Sequence, residues 1–285
     1  MDVAIVSVLA GISHGVVLFL VAAGLSFVLG LMGIVNIAHG ALVMTGAYVG
    51  LRVAKATDSL TLGGLVGALL AGLVGLLIER GFLRNLYRLQ LEQILVTFGF
   101  VYMIANVHLW VYGAWPQAAF VPSNLSGSVT IGQFSFPVFR LILMVIGAVL
   151  CPILWWLQDR TKIGAIIRAG MDDPDMASVM GINLRPINIA VFFLAACLAG
   201  LAGVLGASPL GGVNLGLGQD MIFLAIAVVV VGGVGSIQGA LTGALLIGIF
   251  SALAGTYLQV LAIFVPYILM ILILIFRPQG LLGRK

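Results

Sequence analysis

Between Val3 and Leu51 the chain carries no Asp, Glu, Lys or Arg, and the same holds for 59–78 and 93–139. Each run matches or exceeds the roughly 20 apolar residues that an α-helix needs to cross the hydrocarbon core of a bilayer. Inside lipid every backbone N–H and C=O must be satisfied within the protein, so continuous apolar runs of this length mean spanning helices. The rest of the sequence agrees: of 285 residues, 62% are hydrophobic and 8% charged, and the mean hydropathy is +1.25. That composition excludes a water-soluble globule. The expected fold is all-α, a polytopic transmembrane helix bundle forming one domain over 1–285, with no linker-like segment dividing it.

Hydropathy and breakers place spans near 3–29, 34–51, 60–78, 93–112, 138–157, 187–207, 221–234, 240–257 and 260–276, a total of about eight to ten. No basic stretch precedes the first apolar run, which is too long for a signal segment, so it is read as a retained helix. Glycines at Gly30 and Gly33, and again from Gly232 to Gly239, suggest discontinuous helices, which membranes tolerate only where the backbone is buried or lines a cavity. Gly63, Gly67, Ala71 and Gly75 lie four apart, as do Gly235, Gly239 and Gly243; such small-residue faces let helices approach closely, first of all within one protomer. Gly40-Ala41-Leu42 followed by Thr45-Gly46-Ala47 is echoed by Gly239-Ala240-Leu241 followed by Thr242-Gly243-Ala244. The echo fits either two related halves or coincidence in apolar sequence. Cys151 and Cys197 fall inside spans, where a small apolar role is expected.

Orientation follows from the basic residues. Arg80, Arg84, Arg88, Arg160, Lys162, Arg168, Arg185, Arg277, Arg284 and Lys285 fall on one side of the nine-span arrangement, and Arg52, Lys55 and Arg140 on the other. The positive-inside rule then puts the 79–92 loop, the 159–186 loop and the C-terminus in the cytoplasm and the N-terminus outside. The 113–137 loop is external, and its alternating stretch from Val129 to Phe134 is expected to form a hairpin. The isoelectric point of 9.3 reflects this inner-face bias, and no nucleic-acid-binding patch is present.

Enzyme chemistry is missing. The three lysines, Lys55, Lys162 and Lys285, do not follow phosphate-cradling glycines, and the histidines and cysteines form neither a catalytic set nor a metal-spaced cluster. The spans are almost free of the ionisable residues that ion coupling uses, and Asp220, beside Gln219, suits a helix N-terminus. Asn36, His39, Thr45, Asn106, His108, Asn214 and Gln238 are polar residues in apolar surroundings. Asn36, His39, Thr45 and Gln238 are candidates to line a translocation pathway. For Asn36 the alternative is a helix N-cap, and for His39 a satisfied interhelical hydrogen bond. His14 and His108 are assigned to structure.

The 159–186 loop carries the sharpest local signal. Asp172, Asp173 and Pro174 form a cap followed by an early helical proline, and Gly181 is placed to end a helix of about two turns. Met176, Val179 and Met180 share one face, an adaptable apolar knob suited to a partner's groove. Anionic inner-leaflet lipid would repel Asp172, Asp173 and Asp175, which favours a protein partner over a helix lying on the membrane.

Taken together, Gly33-Ile34-Val35-Asn36-Ile37-Ala38-His39-Gly40, the run from Arg168 through Ala177 to Gly181-Ile182, the run from Gly232 to Gly239, and Arg277-Pro278-Gln279-Gly280-Leu281 resemble the permeases of the branched-chain amino acid class of bacterial ABC importers. Asp175-Met176-Ala177 with Gly181 is similar to the loop by which such permeases couple to their ATPases, with Asp and Met replacing the usual Glu and first Ala. The resemblance implies a bacterial inner-membrane assembly: this subunit, a second homologous permease, two cytoplasmic ATPases and an extracytoplasmic substrate-binding protein. This chain would hold no cofactor of its own, and ATP-Mg would be bound by the partner subunits. Asp172, Asp173, Asp175, Met176, Ala177, Val179, Met180 and Gly181 would make the coupling contact. Substrates of the class include leucine, isoleucine and valine, other amino acids, urea and amides. A passive channel for small neutral solutes is the competing reading, and it leaves the docking helix without a role.

Overall fold

A computed structural model describes residues 2–87, 89–131 and 134–283. Arg88, Arg284 and Lys285, three of the cations counted for orientation, lie outside the described residues, as do Gly132 and Gln133 at the tip of the expected hairpin. Eleven α-helices are present among the described residues: α1 (Asp2–Met32), α2 (Ala38–Thr57), α3 (Leu60–Gly81), α4 (Gln90–Tyr112), α5 (Val138–Arg160), α6 (Lys162–Asp172), α7 (Pro174–Val179), α8 (Leu184–Gly206), α9 (Leu217–Gly232), α10 (Ile237–Tyr257) and α11 (Val265–Phe276). Helix starts are marked by polar caps: Ser59 Oγ accepts from Leu62 N at 3.3 Å, Thr161 Oγ1 from Gly164 N at 3.0 Å and Ser236 Oγ from Gly239 N at 3.0 Å. Each cap satisfies one of the free N–H groups that a helix start exposes.

Among the described residues seven helices are long and apolar enough to span a membrane: those from Val3, Leu60, Gln90, Val138, Leu184, Ile237 and, with the 3-10 segment Gln259–Phe264 that leads into α11, Gln259. The nine expected spans differ from these at α2 and α9. Helix α2 is 20 residues long but carries His39, Arg52 and Lys55; protein rather than lipid covers it from Ala38 through Tyr48, which accommodates His39, and the two cations are exposed beyond that stretch. Helix α9 stops after 16 residues, because Gly233 adopts φ 106° and breaks the run.

The core sits where α1, α2 and α8 meet. Val17 through Ala23 of α1 are fully buried, as are Leu42, Ala47, Ala195 and Ala199. Helices α4, α5 and α11 lie at the periphery with large apolar side chains outward, such as Trp110 at 88% exposure. That outer surface is suited to lipid. The recurrent glycines pack within the protomer. Gly63 meets Gly50 and Ala54 of α2, Gly67 meets Gly46 and Val204, and Gly75 meets Ala196. At the end of the bundle opposite α6 and α7, β2 (Ser128–Ile131) pairs antiparallel with β3 (Phe134–Pro137), the expected hairpin. Unforeseen was a second ladder, β1 (Gln117–Ala118) with β4 (Gly212–Val213), which ties the loop after α4 to the loop after α8.

Gly46 and Gly200 bring α2 and α8 into backbone contact, and a methyl group at Gly46 would overlap the Gly200 backbone. Overpacking of this kind costs about 1–3 kcal/mol. Gly46→Ala is therefore expected to lower the thermal unfolding midpoint in detergent by several degrees. Gly99→Ala, where nothing lies within 4 Å, should leave it unchanged or raise it.

Candidate functional site

Three polar features interrupt the bundle: a break between α1 and α2, a break between α9 and α10, and the arm made by α6 and α7. The first opens at Gly33, whose φ of 62° turns the chain out of α1. Helix α2 then starts at Ala38 with Ile37 in the cap position and no side-chain cap; the Ile37 N–H donates to Thr97 Oγ1 of α4 at 3.3 Å. Asn36 is 1% exposed, and neither its Oδ1 nor its Nδ2 has a hydrogen-bond partner. It is therefore not the cap of α2. His39 Nε2 donates to the Val21 carbonyl of α1 at 3.1 Å, the interhelical bond weighed above. Thr45 Oγ1 donates to the Ala41 carbonyl within its own helix at 2.9 Å. Gln238 is exposed on the first turn of α10. Among the described residues no hydrogen bond joins these four: Asn36, His39 and Thr45 follow the first break, and Gln238 follows the second.

Helix α9 is seated on both breaks. Gly218 in its first turn abuts Gly40 in the first turn of α2, and Gly232 at its end abuts Gly239 in the first turn of α10. The two Gly-Ala-Leu echoes thus each place a glycine against α9. The N-cap position of α9 is Gly216, without a side-chain bond, and Asp220 stands in its first turn. His108 Nδ1 bonds the Ile104 carbonyl of its own helix, as expected of a structural residue.

The second break is held by residues that sequence reasoning passed over. Gln158, near the end of α5 and 4% exposed, donates from Nε2 to the Gly235 carbonyl at 2.7 Å and accepts at Oε1 from Ile237 N at 3.2 Å. Ser26 Oγ of α1 accepts from Gly235 N at 2.9 Å. Both backbone groups of Gly235 and the N–H of Ile237 thereby find buried partners. The tail closes α9, with Leu281 N and Leu282 N donating to the carbonyls of Val231 and Gly232, both at 2.9 Å. A glutamine beside the first charges of the 159–186 loop was the available clue to Gln158. For Ser26, a lone hydroxyl in an apolar helix, there was none.

The arm leaves α5 through the Thr161 cap. Arg168 reaches back to the Gln158 carbonyl and pairs with Asp159 at 3.5 Å. Met171 lodges its terminal methyl between Gly30 and Gly235, so α6 touches the last turn of α1 and the second break at once. Asp172 ends α6. Asp173 Oδ1 accepts from Asp175 N at 3.0 Å and Met176 N at 2.9 Å, capping α7. Gly181, at φ 83°, terminates it with Ile182 N donating to Ala177 O at 3.0 Å, the left-handed glycine stop that L-residues adopt at a cost. Ala177 faces inward at 4% exposure, while Met176, Val179 and Met180 are 57%, 82% and 74% exposed. Of the eight residues expected at the coupling contact, Asp172 ends α6 and the other seven belong to α7 and its caps, with Met176, Val179 and Met180 facing outward.

Below the arm a cleft of about 1050 Å³ opens among the ends of α1, α3 and α8, lined by Gly33, Glu79, Arg84, Tyr87, Asp175 and Asn188. Tyr87 Oη donates to Glu79 Oε1 at 2.5 Å. Burial, and then the bond to Glu79, push the Tyr87 phenol well above its ordinary 10.0.

Broken helices packed on glycine, with a capped arm at one end, make a polytopic membrane bundle. A family model described as "Branched-chain amino acid transport system / permease component" matches residues 7–274. The chain belongs to that family. It is 30% identical over 290 residues to the high-affinity branched-chain amino acid transport system permease protein LivH of Escherichia coli K12, covering 96% of this chain and 94% of the relative. It is also 30% identical over 291 residues to the permease protein BraD of Pseudomonas aeruginosa, at the same coverage. Among solved structures, PsaBC from Streptococcus pneumoniae in complex with Fab superposes with a TM-score of 0.50 at 15% identity, covering 92% of this chain and 88% of that one. That likeness concerns the fold.

Replacing Gln158 with Leu strands the Gly235 carbonyl and the Ile237 N–H in a buried site, at about 1–3 kcal/mol per unsatisfied group. Gln158→Leu is expected to destabilise the protein more than Ser26→Ala, which strands one group, as read by thermal unfolding in detergent.

Proposed function

We propose that this chain is the membrane-spanning permease subunit of an ATP-driven importer for branched-chain amino acids or related small polar solutes. It would work with a second homologous permease, two cytoplasmic ATPases that hold ATP-Mg, and an extracytoplasmic binding protein that delivers substrate and sets selectivity. The arm and the C-terminus then face the cytoplasm of a cell bounded by this membrane. The observation that carries the reading is the exposed face of α7: three large apolar side chains project from a helix fixed at both ends by Asp173 and Gly181. Lipid does not suit a face beside so many carboxylates, and a groove on a soluble partner does.

Motion of the partners on ATP binding enters at α7 and passes through α6 to Met171. From there it reaches Gly30, in the last turn of α1 just before the first break, and Gly235, within the second. A shift at Met171 biases both breaks together, which a rocking bundle requires. Asn36, His39, Thr45 and Gln238, each within a turn or two of a break, line the route. The unmatched amide of Asn36 supports this, since a buried amide without partners is costly unless something passing by completes it.

Replacing Met176 and Met180 together with Glu should leave membrane insertion intact and cut ATP-dependent uptake in vesicles by about tenfold or more, the scale expected when a buried interface anchor is lost. Full uptake by that variant would overturn the coupling role. Solute equilibration by the chain alone, without ATP, would replace the importer with a channel. Asn36→Leu should raise the unfolding midpoint, because two unsatisfied atoms disappear, and lower uptake. A lower midpoint with normal uptake would make Asn36 structural.

A further inference from the structure

The cleft beneath the arm contains a hydrogen bond with one direction. The side-chain amide of Asn188, on the first turns of α8, lies beside the Tyr87 phenol in this cleft, and the phenol donates its proton to Glu79 Oε1 at 2.5 Å. The phenol's one proton is thereby spent. What remains are two oxygens with no donor, Glu79 Oε2 and Asn188 Oδ1, both buried, and both residues line the same cleft. Glu79 is 1% exposed, and no cation is paired with it among the described residues. A buried carboxylate oxygen without a donor is among the costliest arrangements a protein can hold, and a site that keeps it is set to receive a positively charged donor.

The donor's chemistry follows from the acceptors. One carboxylate oxygen and one amide oxygen are too few for a divalent metal ion, which takes six or more oxygens, and no three His, Cys, Asp or Glu side chains gather among the described residues. An ammonium group, with three N–H donors on a compact charge, matches two acceptors and keeps a third bond for water. The cleft, about 1050 Å³ in volume, has room for a small solute. We infer that Glu79 and Asn188 form a binding subsite for the protonated α-amino group of a neutral amino acid at the arm end of the permease, with Tyr87 as the positioning residue that holds Glu79. This rests on the importer reading and names the substrate group that the cleft takes.

The test uses the complete importer in nanodiscs, without binding protein or ATP, and radiolabelled L-leucine and L-valine as probes. Saturable binding is expected, displaced by 3-methylbutylamine, which keeps the ammonium, and not by 4-methylpentanoate, which keeps only the carboxylate. Glu79→Gln should weaken binding about tenfold or more and Glu79→Asp less. Asn188→Leu, at a half-buried position, should weaken it severalfold and serves if the Glu79 variants do not fold. Absence of saturable binding by both amino acids, equal displacement by the acid, or wild-type affinity in Glu79→Gln would each overturn the subsite. Unchanged amino-acid binding together with loss of the ATPase subunit on purification of Glu79→Gln would assign the two oxygens to a partner's cation instead. ATP-dependent uptake by the wild-type assembly, measured in parallel, reports on the importer separately: uptake without an amine subsite removes this inference alone.

Discussion

Close approach of backbones is the constraint on which this bundle depends. Lipid is as apolar as the side chains it surrounds, so burial alone gives helices little reason to associate, and contact must come from packing at short range. The contacts that set the core are glycine against glycine: Gly46 on Gly200, Gly40 on Gly218, Gly232 on Gly239, and Gly11 and Gly15 on Gly248. A side chain at any of them would separate two helices and everything packed beyond. The same economy lets α2 carry His39 and Thr45 in its covered stretch, where helices have replaced lipid, while Arg52 and Lys55 lie exposed toward its end.

Much of the architecture could be read from the order of residues. Apolar length gave the bundle. Glycine clusters gave both breaks, because a bilayer requires satisfied backbone and so admits an interrupted helix only where protein or a cavity receives it. The Asp173-Pro174 start and the Gly181 stop gave α7, since cap and termination signals are local. Long-range partners were less legible. Asn36 has the composition of a cap, yet Ile37 occupies that position and Thr97, from a distant helix, receives its N–H. Gln158 and Ser26 meet at Gly235 only through tertiary packing. Glu79 looked like the first charge of a loop, and its burial depends on Tyr87 folding back over it. Neither periodicity nor composition encodes such meetings. At α2 and α9 the expected spans are present as helices, but one is polar and covered by protein and the other is short, so length and hydropathy alone do not mark them as spanning.

The arm and the second break form one mechanical unit. Gln158 lies at the end of α5 and grips Gly235 from one side, while Met171, thirteen positions further along the chain, presses the same glycine from another. Arg168 folds back on the Gln158 carbonyl and fixes the angle between α5 and α6. A rigid corner of this kind transmits displacement; a flexible one would absorb it. The glycine it grips holds a left-handed backbone conformation that a side chain would disfavour.

The clamp on the end of α9 has a consequence for assembly in time. The carbonyls of Val231 and Gly232 are bonded by Leu281 and Leu282, which leave the ribosome only after α10 and α11 have been made. Until then the last turn of α9 holds acceptors with no donor, and the junction with α10 has nothing to pin it. The hinge that the arm grips is thus among the last parts of the protomer to be completed during synthesis, and a chain cut short just before Leu281 would enter the membrane with its helices in place and that joint still loose.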